Sequence, residues 1–257
     1  MKTVIGIDIG GTKITGILFD GKKIKKELTV TTPKNLSEFK RNLIKIADFL
    51  SAGAKIYAVG VGMAGAVDTK SGVVRHSPNI KYARDLSLVK FFHLNGFKTV
   101  RIDNDANCFT RAELLLGQGK KFQNFLALTL GTGIGGGIVI NRRIYRGKNN
   151  FGAEFGHIVM GDVFLEKLFQ SSRDKGDFRQ AGKLIGKGLV SFINIFAPDA
   201  IIIGGGFGHN ESRKYLPAAK SEIRKYLFNE KAKTVILITK LKNAGALGAA
   251  LLFSKNQ

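Results

Sequence analysis

Apolar and polar positions along the chain follow two rhythms. The opening Val4-Ile5-Gly6-Ile7-Asp8-Ile9 is a nearly unbroken β-branched run, the pattern of a strand covered on both faces. Gly10-Gly11-Thr12-Lys13 reads as a turn, residues 14–19 as a returning strand and residues 26–31 as a third strand. Three strands therefore meander before any helix. Leu36, Phe39, Leu43, Ile46, Phe49 and Leu50 then recur at helical spacing and predict a helix over 36–50. A buried strand is expected over 56–63, a helix over 86–94 and a strand over 100–103. A helix over 106–116 ends at Gly117.

The pattern then restarts. Residues 125–130, the turn Gly131-Thr132-Gly133 and residues 134–140 repeat the opening strand, glycine turn and strand. Helices are expected over 178–196, 213–226 and 244–253, with strands over 200–203 and 234–238. Two halves that each begin with a glycine hairpin imply a duplicated α/β unit with a cleft between the copies. Helical crossovers imply a mixed sheet in each half, and the meander argues against a purely parallel dinucleotide-binding sheet.

Composition narrows the partners. With 44% hydrophobic and 23% charged residues in 257, the chain is too apolar for a disordered polycation. Its 41 Lys and Arg against 19 Asp and Glu give a net charge of +22. Residues 1–128 hold 21 basic and 10 acidic side chains and residues 129–257 hold 20 and 9, so both halves carry +11. That even spread leaves no basic arm, and nucleic acid is not expected as a partner. The single cysteine, Cys108, excludes an intramolecular disulfide and a multi-cysteine zinc site. Asp8 interrupts any signal-peptide apolar core. The uncharged stretch 122–141 contains Gly131, Gly133, Gly135, Gly136 and Gly137, and so reads as two strands around a turn rather than a membrane span. A cytoplasmic protein without a membrane partner is the expectation.

Five segments carry candidate chemistry. In Asp8-Ile9-Gly10-Gly11-Thr12-Lys13 the glycines let backbone N–H groups approach an anion, Thr12 adds a hydroxyl and Lys13 a charge. Asp8, at the end of a buried strand, needs a counter-charge, and hydrated Mg²⁺ is a natural one. A plain hairpin turn would explain the glycines but not the acid before them and the Lys after. The glycine run from Gly131 to Gly137 is entropically costly, and close approach of a phosphate is the simplest compensation. Asp103-Asn104-Asp105-Ala106-Asn107 stands where a strand end meets a helix start. One of these polar residues caps the helix, and the surplus includes a carboxylate placed to act as a general base. Glu154 and His157 suit a polyol, a metal or a structural role. Gly204-Gly205-Gly206 follows a buried strand and is a nucleotide-binding edge of weak specificity.

Together these segments resemble the ROK family of sugar kinases in the actin-like ATPase superfamily, over almost the whole chain. The resemblance implies a two-lobed actin-like ATPase fold, a duplicated RNase H-like α/β unit with a cleft between lobes. Residues 1–108 would form the N-terminal lobe, completed by the C-terminal helix 244–255, and residues 109–243 the second lobe. Asp8 to Lys13 looks like the family's first phosphate motif, with Gly10, Gly11, Thr12 and Lys13 on the donor, and Gly131 to Gly137 like the second, with Thr132 and Gly133. Gly204, Gly205 and Gly206 would serve the adenosine. Gly62-Met63-Ala64-Gly65-Ala66-Val67-Asp68 is similar to the segment whose second glycine, Gly65, lies against the sugar. Ser77-Pro78-Asn79 resembles the loop whose Asn79 binds a sugar hydroxyl, and Asn104-Asp105-Ala106-Asn107 the signature with a sugar-binding Asn104 and the catalytic Asp105. Glu154 and His157 correspond to further sugar contacts, and Leu165-Glu166 aligns with the pair that closes the family's zinc segment, whose Glu also touches the sugar.

The chain departs from that pattern twice. Residues 158–165 hold no cysteine, so no zinc is expected, and Tyr82 stands near where members often carry a Trp. The resemblance implies ATP and Mg²⁺ as cofactors, Asp8 holding the metal directly or through water. The expected reaction is phosphorylation of a hexose, glucose at the 6-OH first, with Asp105 as general base. A polyphosphate donor, as in a glucomannokinase, or another hexose (fructose, mannose, an N-acetylhexosamine) is the alternative. The different-class alternative is a non-catalytic regulator that binds sugar or polyanion. The family's repressors carry a DNA-binding segment ahead of the first strand, where this chain opens, so that role is not expected. The resemblance also allows a homodimer.

Overall fold

In a computed structural model the structure describes residues 3–229, 231 and 233–254. The chain forms two compact units. The first takes in residues up to Glu113, the segment Arg146–Phe151, and the chain from Leu241 onward; the second holds Leu114–Tyr145 and Gly152–Lys240. Lys255, the last residue of the expected terminal helix, lies outside the described residues.

In chain order, the first unit opens with strands β1 (Val4–Ile9), β2 (Lys13–Phe19) and β3 (Ile24–Thr31), followed by helix α1 (Leu36–Ser51) and strand β4 (Ala58–Met63). The short strands β5 (Ala66–Asp68), β6 (Val73–His76) and β7 (Leu86–Ser87) come next, then α2 (Leu88–Leu94), β8 (Val100–Asn104) and α3 (Asp105–Leu115). The second unit comprises β9 (Phe125–Leu130), β10 (Ile134–Ile140), β11 (Arg143–Tyr145), β12 (Val159–Met160), β13 (Val163–Phe164) and α4 (Leu165–Asp174). It continues with α5 (Phe178–Phe196), β14 (Ala200–Gly204), α6 (Gly206–Asn210), α7 (Ser212–Tyr226) and β15 (Val235–Ile238). Helix α8 (Ala244–Ala250) returns to the first unit.

The two main sheets share one plan. In the first unit the order is β3-β2-β1-β4-β8, with β1 antiparallel to β2 and parallel to β4. In the second it is β11-β10-β9-β14-β15, with β9 antiparallel to β10 and parallel to β14. Each is the mixed sheet that a meander followed by helical crossovers produces. The uncharged stretch 122–141 is occupied by β9 and β10, and no helix among the described residues is long and apolar enough to cross a membrane.

Burial explains which runs became which elements. All of β4 is buried, and β1 is buried except at Asp8, because α1 belongs to one core and α8 packs against both strands. The edge strand β3 alternates half-buried and exposed positions instead. Helix α1 starts at Asn35, whose side chain accepts from Glu38 N at 2.9 Å, and buries Phe39, Leu43, Ile46, Ala47 and Leu50. Helix α8 approaches the sheet so closely that a Cβ on Gly6 would overlap the Ala246 carbonyl, and one on Gly60 the Ala249 carbonyl.

Several expected bounds shift. The strand expected from 56 starts at Ala58, and the closing helix ends at Ala250 and passes into a 3₁₀ turn over Leu251–Phe253. Two further shifts have a clear local cause. The helix expected over 86–94 begins at Leu88, because residues 86–87 pair with β6 and the Ser87 side chain caps it by accepting from Lys90 N at 3.2 Å. Helix α3 begins one residue early, which makes Asp105 its first residue.

Candidate functional site

The first unit gathers most of the sequence-predicted residues around the ends of β1, β4 and β8. Asp8 lies on β1, and its carboxyl is pushed up to about 7 by burial first and by the Asp105 carboxylate second, with Lys13 pulling the other way. The three side chains therefore share one electrostatic environment. Gly245, at the start of α8, abuts the Asp8 carboxylate, since a Cβ there would overlap its oxygens.

The turn before β2 is tied by its own backbone: Gly10 N donates to Lys13 O at 3.0 Å, and Thr32 Oγ1 donates to Gly10 O at 2.7 Å. Thr12 and Lys13 stand exposed at its tip. Gly11 packs against the exposed Asn79, whose Cγ would lie 3.0 Å from an added Cβ. The first glycine turn and the Ser77-Pro78-Asn79 loop are thus neighbours.

Asn104 caps α3. Its Oδ1 accepts from Ala106 N at 2.9 Å and Asn107 N at 3.1 Å, and its Nδ2 donates to Gly65 O at 3.0 Å. Gly65 has φ of +110°, and a Cβ there would overlap the His76 carbonyl, so only glycine fits. Asp105 projects from the capped end, its own Oδ1 accepting from Ala106 N at 2.9 Å. Tyr82 turns toward α1, donating its hydroxyl to Pro33 O at 2.5 Å and meeting Phe39 edge-on.

Asp103, which precedes Asn104 on β8 and has no counterpart among the expected site residues, is 1% exposed. Arg146 grips it with both guanidinium nitrogens, at 2.7 and 2.9 Å, and buried Arg111 stands 3.7 Å away. Asp103 Oδ1 also accepts from Asn104 N at 2.9 Å and Asn107 Nδ2 at 3.3 Å. No local signal links Arg146 to Asp103, because the pair is 43 residues apart.

The second unit holds the remaining candidates. Glu166, on the first turn of α4, accepts from Ile134 N at 2.6 Å and fills the space a Cβ on Gly133 would need. Thr132 and Gly133 are therefore brought together with Glu166 and with Gly156, whose added Cβ would lie 3.1 Å from Glu166 Oε2. Gly205, with φ of +83°, seats its backbone against Leu130, the residue before the second glycine turn. Gly204 ends β14 opposite Thr129, and Gly206 opens α6.

His157 and Glu154 are both exposed, with Nδ1 and Oε2 3.4 Å apart. The cysteine-free stretch after His157 is a hairpin of β12 and β13, closed by Leu165 N donating to Ile158 O at 2.9 Å. Phe164 of that hairpin meets the His157 ring edge-on at 5.4 Å. A single imidazole beside one carboxylate does not fit a four-ligand structural zinc site. Among the described residues no group of three or more His, Cys, Asp or Glu could hold a metal ion. Mg²⁺ asks less of the protein, one or two carboxylates beside water and phosphate oxygens, and Asp8 with Asp105 as neighbour has that chemistry.

Known proteins resemble this chain over nearly its whole length. The model of the ROK family matches residues 4–168 and 165–256. A glucokinase of Thermotoga maritima is 27% identical, over 98% of this chain and 97% of its own. The crystal structure of a ROK family glucokinase from Streptomyces griseus in complex with glucose and AMPPNP superposes with a TM-score of 0.84 at 27% identity, covering 96% of this chain and 98% of that one. An inorganic polyphosphate/ATP-glucomannokinase from Arthrobacter gives a TM-score of 0.81 at 27% identity, over 98% of each chain. Those kinases have the actin-like ATPase fold, and this chain shares it. The chain belongs to the ROK family.

Proposed function

We propose that this protein is an ATP-dependent hexose kinase, with glucose phosphorylated at its 6-OH. The observation that carries the reading is Asp105 at the capped start of α3, in one electrostatic environment with Asp8 and Lys13. Asp105 accepts the proton of the sugar hydroxyl as its oxygen attacks the γ-phosphorus, and ADP departs with the electrons of the broken P–O bond. Asp8 would hold Mg²⁺, directly or through water, and the chemistry that the bound ion would supply is neutralisation of charge on the phosphates. Gly10, Gly11, Thr12, Lys13, Thr132 and Gly133 bind the donor phosphates, while Gly204, Gly205 and Gly206 serve its adenosine.

Gly65, Asn79, Asn104, Glu154, His157 and Glu166 orient the sugar. Asn104 does so with the second hydrogen of an amide already held by Gly65. Glu166 does so with Oε1, because Oε2 is engaged by Ile134 N.

Inorganic polyphosphate is the second donor reading, favoured by the net charge of +22, which draws polyanions to the surface. Initial rates of sugar phosphate formation with ATP and with polyphosphate, across glucose, mannose, fructose and N-acetylhexosamines, test both. Fastest turnover of glucose with MgATP is expected. Absence of turnover of every hexose with either donor contradicts the proposal.

A further inference from the structure

Helix α4 presents Glu166, Gln170 and Arg173 at i, i+4 and i+7, a single helical face about 10 Å long. All three side chains end on the second glycine turn. Glu166 Oε2 accepts from Ile134 N at 2.6 Å, and Gln170 Nε2 donates to Thr132 O at 3.0 Å. Arg173 Nη1 donates to Gly131 O and, at 2.8 Å, to Thr132 O. The guanidinium is itself fixed, by Asp174 Oδ1 2.8 Å from its Nε and by the Phe169 ring 5.6 Å below it. Phe169 is fully buried.

The consequence follows from peptide geometry. In a trans peptide the carbonyl of one residue and the N–H of the next point in opposite directions. With the Gly131 and Thr132 carbonyls drawn onto α4, the N–H groups of Thr132 and Gly133 point away from it. These two amides belong to the residues assigned to the donor phosphates. We infer that Arg173 and Gln170 are positioning residues for the phosphoryl donor. They lock two peptide planes so that the Thr132 and Gly133 amides meet a phosphate without first rotating. Glu166 anchors the far end of the same turn. A glycine-rich turn is otherwise free to sample many peptide orientations, and prior fixing removes that ordering cost from donor binding. The inference rests on the reading of residues 131–133 as a donor-phosphate turn.

The test compares wild type with Arg173→Ala, Arg173→Lys and Gln170→Ala. KM is measured for MgATP and for glucose, and calorimetric titration with the non-hydrolysable analogue AMPPNP gives donor affinity. Arg173→Ala is expected to raise the donor KM and weaken the analogue about tenfold, the size of one or two lost hydrogen bonds to a charged group. The glucose KM should stay within about twofold of wild type on the same ground. Arg173→Lys, which keeps the charge and one donor, should recover part of the affinity. Analogue binding in Arg173→Ala equal to that of an active wild type overturns this inference alone, as does an equal rise in both KM values. A wild type that neither phosphorylates hexoses nor binds AMPPNP overturns both the inference and the reading beneath it.

Discussion

Asp103 and Arg146 form a two-pronged ion pair at the end of β8, two residues before Asp105 opens α3, with both Asp103 oxygens engaged at 2.7 and 2.9 Å. Parallel N–H···O bonds of this kind fix both distance and plane. Asn150 extends the arrangement, its Oδ1 3.4 Å from Arg146 Nη1 and its Nδ2 donating to Thr69 Oγ1 at 3.1 Å. The segment Arg146–Phe151 is thereby stitched to the first unit, although the chain on either side of it belongs to the second.

Arg146→Ala strips a buried carboxylate of its best partner and leaves it Arg111 at 3.7 Å as counter-charge, beside the hydrogen bonds from Asn104 N and Asn107 Nδ2. The expected loss is about 2–4 kcal/mol of unfolding free energy. It should be read as a lowered urea midpoint at unchanged slope. Arg146→Lys should lose less, because charge is kept while the fork is not. A midpoint unchanged in Arg146→Ala would mean the pair contributes nothing.

Asp8 links pH to stability in the ligand-free protein. Its carboxyl titrates at about 7 when folded against 3.8 for the free group, so between those values the folded state holds a proton the unfolded state has released. Stability must then fall as pH rises through that window, and the penalty is complete above pH 7. Asp8→Asn removes it. The variant is expected to be more stable than metal-free wild type by about 2–4 kcal/mol at pH 8 and equal to it near pH 3. Adding Mg²⁺ at pH 8 should stabilise wild type and not the variant. Identical denaturation midpoints for the two proteins across the range would contradict the assignment.

The hairpin after His157 makes a prediction about metal removal. The His157 ring meets the Phe164 edge, and its Nδ1 stands 3.4 Å from Glu154 Oε2, two contacts that need no metal. Dialysis against a zinc chelator, followed by return to Mg²⁺, should leave the thermal midpoint and the glucose KM unchanged. Phe164→Ala should raise the glucose KM by about threefold to tenfold, in line with loss of one aromatic contact. Loss of activity on chelation that zinc alone restores would overturn this account of His157.

Much of the fold was legible because its elements are long and strongly periodic. The expected spans 4–9, 125–130, 134–140 and 178–196 coincide with β1, β9, β10 and α5. The strands β5, β6 and β7 escaped because they are two to four residues long, too short to display a period. Helix α4 escaped for a different reason: it is mostly polar, and its core side, Leu165, Phe169 and Ser172, includes a serine. The same spacing read on its polar side, Glu166, Gln170 and Arg173, was the available signal for the clamp on the second glycine turn.

At the site, motifs written in consecutive residues were readable, including Asn104-Asp105 and both glycine turns. Partners that meet only through the fold were not. Arg146 under Asp103 and Gly245 against Asp8 depend on where distant segments return. A glycine and an arginine in isolation have too many ordinary explanations to be singled out.

The measurement closest to the central claim is single-turnover glucose phosphorylation by Asp105→Asn, with a denaturation curve on the same preparation. The substitution keeps the size of the side chain and an oxygen to accept from Ala106 N, so the fold should survive. A positioned general base contributes about 10²–10⁴-fold, and kcat should fall by at least about 10² with the glucose KM little changed. Turnover of the folded variant within a few-fold of wild type would show that Asp105 does not take the proton.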